Sequence, residues 1–280
     1  MQSERKIVRT VSAIPTSDGA GVNLKRSIGT AMLDYLGPFL LLDNIESDEA
    51  ADYIGGFPEH PHRGFETVTY MVEGRMRHRD SMGSEGLLES GGAQWMTAGR
   101  GVVHSEMPEQ EEGRLHGFQL WVNLPAARKM IPARYQDIQP DAIPEIELEH
   151  GKVRLLAGEY GGASGPINGI DIEPVFLDVE VKGGSVPTIS VPEDHTAFVY
   201  VFAGEVAIAD QTITANTLAV LSEGKIINPS GNGRALIVAG APIGETIARH
   251  GPFVMNTEQE LRQAFHDFQT GNFLKDRQSH

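Results

Sequence analysis

Five of the ten histidines fall between positions 60 and 116: His60, His62, His78, His104 and His116. The densest spot is His60-Pro-His62. Along an extended strand, residues two apart point to the same face, about 7 Å from each other at ~3.3 Å per residue. Two imidazoles placed so can bite one metal ion. His104-Ser-Glu106 repeats the spacing with an imidazole and a carboxylate. Two such clips, on strands side by side or facing across a small barrel, would bring three nitrogens and one carboxylate around a single point. Gly99-Arg-Gly101 stands just ahead of the second clip, where glycine lets the backbone turn in space a side chain would block. Read alone, each pair fits ordinary surface or core histidines as well as ligands. His78, inside Arg77-His-Arg-Asp80, reads as a solvated charged strand, and His116 as a packed strand position.

The elements that would hold these residues are β-strands. Short apolar or alternating runs recur between Gly-rich breaks: 67–72, 118–124, 153–157, 174–181, 197–202, 206–209, 217–221 and 235–239. Strands at this spacing read as an all-β sandwich or barrel. Thr67-Val-Thr-Tyr-Met-Val-Glu-Gly74 and Ala197-Phe-Val-Tyr-Val-Phe-Ala-Gly204 align at an offset of 204 − 74 = 130, close to half of the 280 residues, which suggests two copies of one β-barrel. Between them, residues 137–149 carry five acids and no Lys or Arg, with Pro132, Pro140 and Pro144 in or beside them. This predicts an N-terminal barrel over 1–135, a linker over 136–150 and a second barrel over 151–280. Thr257-Glu-Gln-Glu260 is a capping box, followed by Leu261, Ala264, Phe265 and Phe268 at helical spacing and by Gly271 as a stop. It predicts a C-terminal helix covering a sheet or a domain seam.

Composition narrows the chemistry. The chain has no Cys, which removes disulfides, Cys-based zinc and iron–sulfur sites and thiol nucleophiles, so a metal would rest on imidazole and carboxylate. Acids exceed Lys plus Arg by 38 − 23 = 15, which argues against direct nucleic-acid or anionic-membrane binding. Arg5, Lys6, Arg9, Lys25 and Arg26 give the N-terminal strands a basic flavour, read as a solvated surface or a docking face for a protein partner. No run approaches 18 apolar residues, and the first 15 lack an apolar signal core, so a cytoplasmic location is the default expectation. Neither a dinucleotide-binding Gly-x-Gly-x-x-Gly ahead of a helix nor a Gly-x-Ser-x-Gly elbow is found.

Three long runs resemble the pirin family, which belongs to the cupin superfamily. They are Gly56-Phe-Pro-Glu-His60-Pro-His62-Arg-Gly-Phe-Glu66-Thr-Val, Gln94-Trp-Met-Thr-Ala-Gly-Arg-Gly-Val-Val-His104-Ser-Glu106-Met-Pro108 and His116-Gly-Phe-Gln-Leu-Trp-Val-Asn-Leu124. Arg26-Ser-Ile-Gly29 and His250-Gly-Pro-Phe-Val-Met-Asn256 extend the resemblance over nearly the whole chain. It implies two stacked cupin (jelly-roll) β-barrels, with iron in the first.

The resemblance also implies His60, His62, His104 and Glu106 as ligands of one Fe(II) per chain; such a donor set also suits Mn, Ni, Cu or Zn. The general cupin pattern would nominate Glu66 instead of Glu106, so Glu66 is placed beside the ligands. Some pirins resemble quercetin 2,3-dioxygenases in activity. That implies a small planar aromatic substrate, dioxygen, and Glu106 as catalytic base. Phe57, Phe65, Trp95 and Met96 would line an apolar mouth, with Arg63 and Gln119 as polar contacts, or would be plain core and surface residues. Pirins have also been regarded as iron-dependent regulators acting through protein partners. A Zn or Mn isomerase or hydrolase is a third reading. Adding 130 to the first-barrel ligands gives Ser190, Pro192, Arg234 and Leu236, so the second barrel is expected to hold no metal, and His195 to be structural.

Overall fold

The computed structural model describes residues 3–275. Among the described residues the chain is mostly strand, with one α-helix, Glu258–Gln269. Among the described residues no helix is long and apolar enough to cross a membrane.

Two compact units emerge, neither of them continuous in sequence. One gathers Met1–Thr16, Lys25–Asp43 and Ile138–Pro242; the other gathers Ser17–Leu24, Asn44–Asp137 and Ile243–His280. This differs from the expected division at both ends. Strand Ile7–Ser12 pairs antiparallel with Thr217–Leu221, Thr10 opposite Ala219, and so joins the sheet of the later half. It covers an edge that would otherwise present unpaired amides and carbonyls. The C-terminal helix, expected with the second barrel, falls in the unit of residues 44–137.

In the first-named unit the main sheet runs Ile7–Ser12, Thr217–Leu221, Thr196–Ile208, Pro229–Gly240, Val175–Ser185, Gly151–Ala157, Glu145–Leu148. Alternate residues of its strands, among them Val153, Leu155, Leu177, Val179, Val199 and Ile237, form one apolar core. The two runs expected at 197–202 and 206–209 are a single strand. Gly204 lies within it at φ +62, where a Cβ would stand 2.3 Å from the Asn232 carbonyl oxygen. The acidic stretch is not a bare linker either. Glu145–Leu148 pairs with Gly151–Ala157 as an edge strand. Its acids alternate outward, Glu145 bonding Arg154 at 2.9 Å and Lys152 at 3.2 Å, while Ile146 and Leu148 pack on the core.

The basic N-terminal residues divide: Lys6 and Arg9 are exposed, whereas Arg5 and Arg26 are tied into the structure. Arg5 is fully buried and donates to the carbonyls of Pro192 (2.7 Å), Gly224 (2.8 Å) and Ser222 (3.0 Å). Arg26 is bonded to both oxygens of Asp43 at 2.7 Å.

The other unit carries two sheets. One runs Phe57–His62, Val102–Pro108, Met76–Asp80, Glu85–Leu88. The other runs Arg134–Ile138, Ala93–Thr97, Phe65–Glu73, Leu115–Asn123, continued by the parts of Phe39–Ser47, Val22–Ile28 and Ile14–Asp18 that belong to this unit.

The helix is capped as expected: Thr257 Oγ1 accepts from the Glu260 amide at 3.2 Å, and Glu260 Oε2 from the Thr257 amide at 2.9 Å. Its inner face is less apolar than the stripe predicts. Leu261 and Ala264 are buried with Phe253, Met255 and Phe273, but Phe268 is 43 % exposed and Asp267 takes the buried place.

Candidate metal centre

Strand geometry brings the two clips together. Phe57–His62 and Val102–Pro108 pair antiparallel, Val102 opposite His62 and His104 opposite His60. On the other side of Val102–Pro108 lies Met76–Asp80, with His104 opposite Asp80 and Glu106 opposite His78. A turn at Gly64 sends the chain from the His60 strand into the next sheet. Its φ is +88 and a Cβ would stand 1.9 Å from the Val254 carbonyl oxygen, so glycine is required.

His60, His62 and His104 each offer a ring nitrogen, and these atoms lie within 4.8 Å of one another. His60 Nδ1 stands 2.8 Å from the Pro58 carbonyl oxygen. A carbonyl only accepts, so Nδ1 carries the proton and Nε2 the lone pair. That Nε2 lies 3.0 Å from His62 Nε2. His104 Nε2 is buried with no hydrogen-bond partner. Two nitrogens bound at right angles to one ion, each about 2.1 Å from it, would stand about 3 Å apart. The three imidazoles thus fit a divalent ion.

Electrostatics point the same way. Burial, then the neighbouring His60, holds the His62 imidazole well below the usual histidine range. Burial, then His62, His60 and His78, does the same for His104. Both rings are neutral at physiological pH, the state a metal needs.

Glu106 is not in the cluster of nitrogens. It is buried, and its oxygens are already engaged: Oε1 accepts from Thr69 Oγ1 at 2.8 Å and Oε2 from Gln119 Nε2 at 2.7 Å. The pairing register shifts between His104 and Glu106, which changes the simple two-residue geometry of the second clip. Gln119 accepts in turn from Trp121 Nε1 at 3.2 Å. Glu66 is buried on the facing sheet and accepts from Thr97 Oγ1 at 2.6 Å.

Of the remaining expected site residues, only Phe65 stays at the site, its ring 5.0 Å from that of His62. Phe65, Trp95 and Met96 are core residues with at most 1 % exposure. Phe57 is half-buried against the cluster of Val22, Tyr53 and Met76. Arg63 turns away toward the helix: it bonds Asp267 at 2.8 Å and the Phe273 carbonyl at 3.0 Å.

Three features escape the sequence reading. Trp121 packs against His62 (ring centroids 5.2 Å) and Phe65 (4.4 Å), with Arg249 over it at 4.9 Å. His78, expected in solvent, is 3 % exposed and packs between His104 and Tyr135. In that strand Arg77 and Arg79 point outward to Glu85, so inward alternation was the available signal.

Lys129 is the third. It is 1 % exposed and donates to the Gly64 carbonyl (2.7 Å), Asn123 Oδ1 (2.6 Å) and the Val254 carbonyl (3.1 Å), bracing the turn after His62. Burial pushes its pKa down to about 8 from 10.5. Between those pH values the unfolded chain binds the proton and the native one does not, so native stability rises with pH across that window and is flat below it. Urea midpoints of wild type and Lys129→Met from pH 7 to 10.5 test this. The wild type is expected to gain on the variant as pH rises through 8, and parallel curves would refute it.

In the unit that contains residues 138–242, the corresponding strand pair is built of other side chains. Ile189–Ser190 pairs with Ile226–Ile227, Ser190 opposite Ile226, as the His60 strand pairs with the His104 strand. The counterpart of His104 is therefore Ile226. Arg234, reached by the constant offset, lies instead on the long strand Pro229–Gly240 and bonds Asp178 at 2.8 Å. His195 is buried there.

Two family models match the chain: Pirin over residues 21–122 and the Pirin C-terminal cupin domain over 176–274. A pirin-like protein of Caulobacter vibrioides is 48 % identical over 274 residues, covering 96 % of this chain and 99 % of that protein. The chain belongs to the pirin family. Human pirin is 39 % identical, covering 96 % of this chain and 93 % of its own. The crystal structure of a quercetin 2,3-dioxygenase from Acinetobacter baumannii matches with a TM-score of 0.89 at 35 % identity, over 98 % of this chain and 99 % of that one. As a pirin, the chain has two cupin-like domains and a C-terminal helix, and its three imidazoles form the site where a pirin of this sequence can hold a metal.

Proposed function

We propose that this pirin is a mononuclear iron(II) dioxygenase that opens the heterocycle of a flavonol such as quercetin, with dioxygen consumed and carbon monoxide released. The observation that carries the reading is the convergence of His60, His62 and His104, with Nε2 atoms of His60 and His62 3.0 Å apart. The likeness to the A. baumannii quercetin 2,3-dioxygenase supplies the substrate class. The three imidazoles would hold the ion, and Glu106 would join them as fourth ligand. When bound, the ion supplies Lewis acidity toward the flavonol 3-hydroxyl and a place for dioxygen beside it.

The protein's own part is to prepare the carboxylate. Glu106 takes the hydroxyl proton. Thr69 and Gln119 each donate to one of its oxygens, which fixes its plane before substrate arrives. Trp121 fixes Gln119 in turn through Nε1. Neutral, buried His62 and His104 leave room in the local charge balance for an ion and an ionised substrate.

The test is anaerobic loading with Fe(II), addition of quercetin and oxygen, and measurement of the loss of flavonol absorbance. Wild type is expected to turn over, with His104→Ala and Glu106→Ala inactive. An iron-loaded wild type as inert as the variants would overturn catalysis and leave the reading of an iron-dependent regulator acting through a protein partner.

A further inference from the structure

His104 can bind an ion through Nε2 only if the proton sits on Nδ1. The polar atom facing that Nδ1 is Nδ1 of His78, 3.4 Å away. Two imidazole nitrogens attract only if one donates and the other accepts. For His104 Nδ1 to donate, His78 Nδ1 must be the acceptor, and the His78 proton must then lie on Nε2. His78 Nε2 faces Asp80 Oδ2 at 4.0 Å.

Asp80 is placed to enforce that order. Its side chain is fully buried. Oδ1 accepts from the backbone amides of Met82 and Ser84, both at 2.8 Å, so the 80–84 turn fixes the carboxylate and leaves Oδ2 toward His78. At 4.0 Å the two atoms are too far apart for a direct hydrogen bond and neither has another hydrogen-bond partner, so it is the buried negative charge that favours the His78 proton on the near nitrogen, Nε2. Tyr135 packs on the His78 ring with centroids 4.9 Å apart and holds its plane. Cross-strand register makes the arrangement possible: Asp80 lies opposite His104, and His78 opposite Glu106.

We infer that His78 and Asp80 are positioning residues for the metal centre: Asp80 sets the tautomer of His78, and His78 sets the tautomer and plane of His104. The inference rests on the metal-binding reading of the three imidazoles and is independent of the substrate. A side chain that orients a ligand in this way typically alters metal affinity by about 10–100-fold.

Co(II) is the probe. The full chain is stripped with chelator, loaded with Co(II), and characterised by its visible ligand-field spectrum and by affinity in competition with a chromophoric chelator. Thermal midpoints of the metal-free proteins are recorded alongside. Asp80→Asn keeps shape and both amide bonds at Oδ1 but offers an N–H group to His78. It is expected to weaken Co(II) binding by about 10-fold and to shift the spectrum, with the metal-free midpoint little changed. His78→Phe is expected to lose up to about 100-fold, and His78→Gln, which keeps an acceptor, to recover part of it. Wild-type affinity and spectrum in Asp80→Asn and His78→Gln would overturn the inference. A wild type that binds no Co(II) would overturn the metal reading itself, and this inference with it.

Discussion

His62→Ala is expected to abolish metal binding at micromolar ion concentrations while leaving the metal-free protein folded. Structural Zn(II) in zinc-finger peptides is worth about 10–16 kcal/mol, or roughly 3 kcal/mol per ligand, and a loss of that size is about a hundredfold in affinity. His62 is the most constrained of the three. Its ring lies against His60, His104, Phe65 and Trp121, with centroids 4.6–5.2 Å away. No neighbour can swing in to replace its nitrogen. In the metal-free protein, His62 Nε2 has only the 3.0 Å contact with His60 Nε2 to lose, alongside its ring packing. The variant should therefore lose far more metal affinity than stability. His116→Ala is the control: His116 is also buried but packs on Phe118, outside the cluster. Equilibrium dialysis with Fe(II) or Co(II) measures both. Retention of metal by His62→Ala, or loss of it in His116→Ala, would move the centre elsewhere.

The local chemistry of this site was legible because it is written at strand period. His60, His62 and His104 meet because spacing by two and antiparallel pairing are short-range rules. The same rule should have placed His78 and Asp80 inside, since they alternate with Arg77 and Arg79. The charges on both arginines masked it, and only the register opposite His104 and Glu106 shows the inward face. Glu106 marks the limit of the rule. A register shift after His104 and two hydrogen-bond donors place its oxygens by tertiary contacts that spacing does not encode.

Longer-range features were harder to read for a topological reason. The constant offset of 130 fails at the second motif because the connections within the two units differ in length, so Ile226 and not Arg234 faces Ser190. Strand Ile7–Ser12 and helix Glu258–Gln269 each belong to the unit remote from them in sequence. An apolar pattern shows that a strand or helix has a face to bury, not which core receives it. In the acidic stretch, charge suggested a linker, whereas the alternation Glu145-Ile-Glu-Leu148 was the stronger signal, and it marks an edge strand.

Arg63→Ala is expected to be the most destabilising single change outside the apolar cores, by about 3–5 kcal/mol, because it strips the partner from a buried charge. Arg63 and Asp267 side chains are 4 % and 5 % exposed and bonded at 2.8 Å. Arg63 also donates to the carbonyls of Arg100 and Phe273, and its guanidinium lies 4.3 Å from the centre of the Phe273 ring. Removing it leaves the buried Asp267 carboxylate without its guanidinium, with the Gln263 amide among its donors at 2.8 Å. A surface pair would cost below about 1 kcal/mol, so the size of the loss separates the two cases. The double change Arg63→Met with Asp267→Leu removes both charges and refills the volume. It should recover most of the loss, since a well-packed apolar pair replaces a buried ion pair at little cost. Urea unfolding of Arg63→Met, Asp267→Leu and the double variant gives the coupling directly. If both single changes are mild, or if the double is as unstable as their sum, the buried charge is not what anchors the helix. Arg63 follows His62 directly in the chain, so the same contact that holds helix Glu258–Gln269 also fixes the exit of the His60 strand. The Arg63→Ala variant should therefore show weaker metal binding even at temperatures where it remains folded, while the double variant, with its packing restored, should bind more tightly than Arg63→Ala.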